Sequence, residues 1–178
     1  MVWLDQLRSD LRQEFGSRPK VMVLATSSLT GEPSARCMIC REIDDEGGLW
    51  FTTDLRSEKM NDITRRSLAE CVAWLAASRK QYRLRGQLLV HTDPAVHQRL
   101  WTQLSPATRA TFLGGPPGSA VGQVTPTHAT DLPSTPPANF GVIRLAADRV
   151  ELLDLNTDPH TRTRWETVSG WKRSAVNP

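Results

Sequence analysis

The chain has 178 residues, of which 39% are apolar and 23% are charged, and its net charge is +3 at pH 7. These values are typical of a soluble globular protein, and the length predicts a single domain over residues 1–178 with a sizeable core. We expect no membrane association and a cytoplasmic location, because no apolar run approaches the ~20 residues of a membrane span and the first residues lack the order of a secretion signal.

Arginine supplies most of the positive charge, with 18 arginines against four lysines. Arginine binds phosphates and carboxylates through a planar pair of donors. The arginines are scattered along the chain and are not interleaved with aromatic residues, as a stacking platform for bases would require. We therefore predict that a few arginines face an anionic small molecule, and we expect no nucleic-acid partner.

The first third of the chain contains one predicted helix, three predicted strands and a second short helix. Apolar residues recur at helical spacing from Trp3 to Phe15, which predicts an amphipathic helix over residues 3–15. Apolar runs separated by turn-forming residues predict strands over residues 20–26, 34–43 and 49–53. A short polar helix is then expected to begin at Ser57, with the Ser57 side chain as its N-cap.

The remainder of the chain predicts further strands around two helices and one irregular stretch. Each helix begins with a capping residue followed by proline, at Asp93 and at Ser105, and the two end near Gln103 and Phe112. Residues 114–137 are rich in Gly, Pro, Ser and Thr, which is typical of a loop that is functional, disordered or both. The predicted strands cover residues 70–76, 81–90, 140–147, 150–155, 162–167 and 170–173. Short strands with helices in the gaps and no βαβ alternation predict a mainly β, α+β fold built on an antiparallel barrel.

Donor-rich side chains concentrate between Ser34 and Lys59, at strand ends and at the predicted start of a helix, where backbone N–H groups are free. Such a place suits a phosphate, with Arg36 and Arg41 as a double cation against it. The two arginines are five positions apart, so an ideal strand would direct them to opposite faces. We therefore expect a β-bulge or the end of the strand to re-aim one of them.

Cys37 and Cys40 form a C-x-x-C pair, which in other settings binds metal or performs redox chemistry. In a strand their two sulfur atoms would point to opposite faces, and no second pair is available to complete a zinc site. We therefore predict no metal site. The odd number of cysteines, three, fits a reducing compartment.

The order Arg36-x4-Arg41, Thr52-Thr53, Ser57-x-Lys59 and Gln81 resembles the pyridoxamine 5′-phosphate oxidase family of FMN-binding split barrels. The resemblance implies an FMN-binding type of split barrel, FMN as the cofactor, and a homodimer with flavin at its interface. It implies that one chain contributes Arg36, Cys37, Met38, Ile39, Arg41, Thr52, Thr53, Ser57, Lys59 and Gln81. The other chain would contribute Gln123 and Arg162.

The chain also departs from the pattern of the family that it resembles. Glu58 stands where the family has a basic residue, and Leu153 stands near a flavin-contacting tryptophan. The positions that grip pyridoxal phosphate correspond to Trp101, Ser105, Thr108 and Asp158-x-His160, so two arginines are missing. Each charge-assisted contact is worth roughly 1.5 to 3 kcal/mol, so we expect poor binding of vitamin B6 phosphate.

We therefore predict an FMN-dependent oxidoreductase that acts on some other small molecule, with no catalytic residue identified from the sequence. The alternative is a non-catalytic barrel that binds flavin, haem or a deazaflavin. Haem would use His160 or another of the four histidines as its ligand. Trp101 is expected to line or block the emptied substrate pocket.

Overall fold

The structure is a computed structural model and describes residues 1–120 and 132–178. Its strands are β1 (Lys20–Ser27), β2 (Pro33–Ile43), β3 (Leu49–Asp54), β4 (Leu68–Leu75), β5 (Lys80–His91), β6 (Phe140–Asp154), β7 (Thr161–Glu166) and β8 (Ser174–Val176). Its α-helices are α1 (Val2–Phe15), α2 (Lys59–Arg65), α3 (Pro94–Thr102) and α4 (Pro106–Thr111). Among the described residues, a 3-10 helix covers Thr167–Ser169.

The eight strands form one antiparallel sheet that closes into a barrel. Their order is β3-β2-β1-β4-β5-β6-β7-β8, and an additional pairing of β3 with β6 closes the first six strands. Strands β7 and β8 continue from the outer side of β6. The prediction of a mainly β, antiparallel split barrel of the FMN-binding type is confirmed.

The barrel is filled by alternate residues of its strands, and α1 lies on this core. Leu24, Phe51 and Leu84 are fully buried, as are Leu7 and Leu11 of α1, because the period of two in strands and of 3.6 in helices gives each element one apolar face. The predicted helix over residues 3–15 is confirmed with one additional residue at its start.

A buried polar contact ties α1 to the barrel. The carboxylate of Asp10 accepts hydrogen bonds from the Tyr82 hydroxyl at 2.6 Å and from Lys80 Nζ at 3.0 Å. Burial and the Asp10 carboxylate both raise the pKa of Tyr82, so the phenol keeps its proton and donates at neutral pH. The helix is therefore held in place by directed bonds as well as by apolar packing.

A second core lies on the outer side of the barrel, under α3 and α4. It is formed by Trp50, Leu100, Trp101, Leu104, Phe112, Phe140 and Val142. Both predicted caps are confirmed: Asp93 accepts from Ala95 N at 2.8 Å and Ser105 accepts from Thr108 N at 3.3 Å. This second core fixes α4 beside the end of β3.

Three predicted elements differ in the structure. The strands predicted over residues 140–147 and 150–155 are one strand, β6, because Asp148 is the extra residue of a bulge opposite Arg85 and Gly86. The strand predicted over residues 170–173 does not form, since Gly170 and Trp171 both have positive φ angles, and β8 begins only at Ser174. The predicted cap of α2 is described with the site below.

Gly86 explains why the bulge is tolerated at this place. A Cβ atom added to Gly86 would lie 1.9 Å from the carbonyl oxygen of Ala146. Only glycine allows the two backbones to approach so closely. Within residues 1–120 and 132–178, no helix is both long and apolar enough to cross a membrane.

Candidate functional site

The barrel is split where β2 and β3 separate. The two strands pair only through Cys40, Glu42 and Ile43 of β2, and beyond this point β2 pairs with β1 alone while β3 pairs with β6 alone. In an antiparallel strand, every second residue directs its N–H and C=O toward the same side, so the separated part of β2 offers free backbone groups. A cleft of about 380 Å³ lies in the gap.

The cleft gathers most of the residues predicted to bind the cofactor. Eight of them line it: Arg36, Cys37, Met38, Ile39, Arg41, Thr52, Thr53 and Lys59. Asp54 completes the strand side, and Thr108, Thr111 and Phe112 line the side toward α4. Nothing in the sequence pointed to Thr111 and Phe112, because they lie at the end of α4, which only the packing of the second core places beside the cleft.

The predicted bulge lies at Arg41. The register of β2 against β3 shifts between Cys40 and Glu42, which leaves Arg41 as the extra residue. Its Nε donates a hydrogen bond to Thr52 Oγ1 at 3.3 Å. The bulge therefore directs Arg41 toward β3 and into the cleft, as the odd spacing from Arg36 requires.

Arg36 and Lys59 form a pair of cations at the other end of the cleft. Arg36 donates to Thr26 Oγ1 at 2.8 Å and to Ser34 Oγ at 2.6 Å. Lys59 Nζ donates to Ser57 Oγ at 2.7 Å and to Thr53 Oγ1 at 3.0 Å. Burial lowers the pKa of Lys59, and the nearby charge of Arg36 lowers it further. Two like charges held together in this way are a place for a doubly charged anion.

This pairing corrects the expectation that Arg36 and Arg41 act together on one phosphate. Five strand residues separate their Cα atoms by about 16 Å. Their guanidinium groups then diverge, since Arg36 turns back to Thr26 of β1 and Arg41 reaches Thr52 of β3. Lys59 takes the place beside Arg36, and Arg41 is left at the far end of the cleft.

Ser57 supports Lys59 and does not cap α2. Its hydroxyl donates to the carbonyl of Asp54 at 2.6 Å and accepts from Lys59 Nζ. The helix begins at Lys59 with Glu58 in the N-cap position, and no side-chain cap bond forms. The serine is buried in the turn that follows β3, so its hydroxyl is used by the turn instead of by the helix.

Asp54 is the one acidic residue among the described residues that line the cleft. Its charge is neutralised, so positive charge predominates in the cleft. Arg56 contacts the carboxylate of Asp54 through Nη2 at 2.6 Å, and Asn139 Nδ2 donates to it at 3.0 Å. Burial alone would raise the pKa of Asp54, but these hydrogen bonds outweigh it and lower the pKa. Among the described residues, Arg36, Arg41 and Lys59 form no ion pair.

Gln81 and Arg162 lie together but outside the cleft of their own chain. Gln81 of β5 is opposite Leu153 of β6, which is opposite Arg162 of β7. With Arg83 and Glu151 they line a small hollow of about 90 Å³. The expectation that Gln81 shares one half of the site with Arg36 is therefore not met within one chain. Gln123 lies outside the described residues.

An apolar strip, formed by Val21, Val23 and Trp74, separates the cleft from the hollow on the outer face of the sheet. These side chains are 45%, 39% and 49% exposed. On β2 the strip borders the cleft, because Val21 and Val23 are opposite Ile39 and Cys37. On β5 it borders the hollow, because Trp74 is opposite Gln81. Exposed apolar patches between polar regions are typical of interaction surfaces.

The residues at the expected substrate positions give the cleft no additional charge. Trp101 is fully buried and its indole donates to the Pro133 carbonyl at 3.1 Å. The expectation that Trp101 lines the pocket is therefore not met. Ser105 caps α4, and Arg109 turns back to the Trp101 carbonyl at 3.0 Å. The three described histidines, His91, His97 and His160, lie outside the cleft lining.

Comparisons with known sequences agree on one family. The family model described as pyridoxamine 5′-phosphate oxidase, FMN-binding domain, matches residues 1–92. The pyridoxine/pyridoxamine 5′-phosphate oxidase of Deinococcus deserti is 41% identical over 85 residues, which cover 47% of this chain and 37% of the relative. That of Thermosynechococcus vestitus is 34% identical over 88 residues, which cover 49% and 39%. The chain thus spans about two fifths of the length of these curated relatives.

Solved structures extend the likeness over the whole chain. A pyridoxamine 5′-phosphate oxidase-related, FMN-binding protein from Nostoc punctiforme has a TM-score of 0.85 and 25% identity, with 99% of this chain and 97% of that chain covered. PhzG from Burkholderia lata, solved with tetrahydrophenazine-1-carboxylic acid, has a TM-score of 0.78 and 23% identity, with 99% and 89% covered. The second similarity shows a shared fold.

Proposed function

The chain belongs to the pyridoxamine 5′-phosphate oxidase FMN-binding family, and from this premise we propose that it is a homodimeric flavoprotein that binds FMN in the cleft and oxidises or reduces a small molecule. The observation that carries the proposal is the pair of cations at the split in the barrel. Arg36 and Lys59 contact hydroxyl groups and form no ion pair among the described residues. A doubly charged phosphate would satisfy both.

The residues of the cleft fit FMN in size and in donor chemistry. Its volume lies within the roughly 300 to 1,000 Å³ of small-molecule sites. Arg36, Lys59 and Ser57 would hold the phosphate, while Thr52, Thr53 and the free backbone groups of β2 would bind the remaining polar atoms. When bound, FMN supplies hydride transfer, and the protein supplies binding and orientation. Haem fits less well, because no described histidine lines the cleft.

The apolar strip supports a homodimer with a shared site. A twofold axis through Val21, Val23 and Trp74 would bury this patch against its copy, as an isologous interface does. The strip has the cleft on one side and the hollow on the other, so the same operation would bring the hollow of one subunit to the cleft of the other. Gln81 and Arg162 of the partner subunit would then complete the flavin site.

The α4 side of the cleft favours a substrate with at most one negative charge. It provides Thr108, Thr111 and Phe112, which carry no cation to grip a phosphate ester. Arg41 is the remaining cation once the flavin phosphate occupies Arg36 and Lys59. We propose a small molecule bearing a single carboxylate, a class to which the ligand of PhzG also belongs.

The proposal is tested by titrating purified protein with FMN while flavin fluorescence is recorded, after the absorbance spectrum has shown whether flavin is already bound. Saturable quenching at micromolar FMN is expected. Riboflavin, which lacks the phosphate, is expected to bind about ten- to a hundred-fold more weakly. No saturation with FMN would overturn the proposal. A deazaflavin and haem are then titrated in the same way, since saturation by either would favour the alternative cofactor.

A further inference from the structure

Glu151 is a buried carboxylate at the centre of an arginine-rich surface. Its side chain lies on β6 and its residue is 5% exposed. Arg164 Nε donates to Oε1 at 2.8 Å, while Arg162 donates to Oε2 through Nε at 3.1 Å and also through Nη2. Arg83 Nη1 lies 3.7 Å from Oε2. One carboxylate thus faces three cations from the two neighbouring strands.

The contact with Arg162 is oriented by the sheet register. Arg162 lies opposite Leu153, yet its guanidinium reaches diagonally across to Glu151, which lies opposite Arg164. Two of its three nitrogen atoms, Nε and Nη2, donate to the same oxygen of this carboxylate, and such charge-assisted hydrogen bonds are stronger than those between neutral groups. Within the described part of the chain, Nη1 of Arg162 has no hydrogen-bond partner. Arg162 is therefore held by one edge, with donors remaining for another ligand.

The buried carboxylate of Glu151 and the arginines around it stabilise each other. Burial alone would raise the pKa of Glu151, but the hydrogen bonds from Arg162 and Arg164 outweigh it, so the pKa lies below its ordinary value and the group is ionised at neutral pH. Without this charge, Arg83, Arg162 and Arg164 would repel one another across neighbouring strands. Arg162 would then leave its present orientation more readily than Arg83, because Arg83 has a second partner in Glu70 at 2.7 Å.

We propose that Glu151 is the positioning residue of the flavin site: it fixes the guanidinium of Arg162, and through Arg162 it determines how tightly the hollow binds the flavin held by the other subunit. The inference rests on the proposed function, since it requires FMN at the interface. Glu151 acts on the flavin through Arg162 and not directly, because its own oxygen atoms are covered by the arginines and because Arg83, the other arginine of the hollow, is held by Glu70 as well.

The test is a double-mutant cycle on FMN affinity with Glu151→Gln, Arg162→Gln and the two combined. The Gln side chain keeps the volume of Glu and removes its charge. We expect Glu151→Gln to weaken FMN binding about tenfold in the native background and by less than twofold when Arg162 is already Gln. An equal loss in both backgrounds, or no loss in either, would overturn the proposal.

Glu166→Gln is the matched control. Glu166 lies on β7 of the same sheet and pairs with Arg149 at 2.7 Å, outside the hollow, so its loss is expected to change FMN affinity by less than twofold. The mass of each variant in solution is measured as well, since loss of the dimer would lower affinity in both backgrounds and would contradict a positioning role. If Glu151→Gln does not fold, Glu151→Asp replaces it and must show the same dependence on Arg162.

Titration of the wild-type protein with FMN distinguishes failure of this inference from failure of the proposed function on which it rests. If wild-type protein does not bind FMN, the proposed function fails and the inference fails with it. If wild-type protein binds FMN and the cycle shows no coupling, the flavin site stands and only the role of Glu151 is rejected.

Discussion

The cleft and the hollow both present cations at the outer edge of one sheet, but the cations of the two regions contact different groups. In the cleft, Arg36 and Lys59 donate to hydroxyls, and no carboxylate forms an ion pair with them among the described residues. In the hollow, Arg83 and Arg162 contact Glu70 and Glu151. The difference shows which region is arranged to receive a strong anion and which is already neutralised.

The contrast also shows that arginine content alone does not locate a phosphate site. A cation already paired with a carboxylate gains little from a second anion, because the first partner must be displaced or shared. A half-buried cation that donates only to neutral oxygen atoms has lost part of its hydration without forming an ion pair. Arg36 and Lys59 have this second property, since their partners in the described part of the chain are hydroxyls and the Leu24 carbonyl, and this difference from the hollow is testable.

Removing the cations of the cleft should have the largest effect. Arg36→Ala and Lys59→Ala are each expected to weaken FMN binding about ten- to a hundred-fold, and the double variant by more than a hundred-fold, because each removes a charge-assisted contact. Fluorescence titration measures the change. Arg65→Ala is the control, since Arg65 is exposed at the end of α2 and lies outside the cleft lining. An equal loss in Arg65→Ala would contradict the contrast.

Breaking the proposed dimer, which would separate the cleft of one subunit from the hollow of the other, should have the next largest effect. Trp74→Glu places a charge in the apolar strip and is expected to give a monomer, with FMN bound about tenfold more weakly because the hollow of the other subunit is lost. Analytical ultracentrifugation reports the mass. Val168→Glu is the matched control, as Val168 is 92% exposed and lies outside the strip. A Trp74→Glu protein that remains dimeric would show that the interface lies elsewhere.

Arg41 should matter for a carboxylate more than for FMN. Because it lies at the other end of the cleft from Lys59, Arg41→Ala is expected to change FMN affinity by less than about tenfold. Benzoate, used as a simple aromatic carboxylate, should perturb the absorbance spectrum of the bound flavin in the wild type and should lose this effect in Arg41→Ala. If benzoate acts equally on both proteins, Arg41 does not bind the carboxylate.

The smallest effect is on stability, where both regions should make stability rise with pH, the hollow in the acid range and the cleft in the alkaline range. The pKa of Glu151 lies below its ordinary value, so its contribution is present at neutral pH and is lost as pH falls through the acid range. The pKa of Lys59 is also lowered, so above that pKa the unfolded chain binds more protons and the FMN-free protein gains stability as pH rises toward the ordinary lysine value.

Melting temperatures across pH check both ranges. The difference between wild type and Glu151→Gln should shrink in acid, and the gain in alkali should be absent from Lys59→Met. Curves that stay parallel to that of the wild type for both variants would contradict this assignment of the charges.

Most of the local structure and most of the residues that line the cleft could be predicted from the sequence alone. The apolar spacing from Trp3 to Phe15 specified α1, the caps at Asp93 and Ser105 specified α3 and α4, and the odd spacing of Arg36 and Arg41 required the bulge that the structure contains. These features depend on periodicity and on side-chain contacts within a few residues. The single domain over residues 1–178 and the cytoplasmic location stay predictions.

The partners of the cations could not be predicted from the sequence, because they depend on the tertiary structure. Lys59, and not Arg41, accompanies Arg36, because the turn after β3 uses the Ser57 hydroxyl and brings Lys59 back to the end of β2. Gln81 joins Arg162 because β5, β6 and β7 are neighbours in the sheet, although 81 and 162 are far apart in the chain. Sequence spacing determines which face a residue occupies, whereas the partner across that face depends on which strands pair, and strand pairing is set by the closure of the whole barrel.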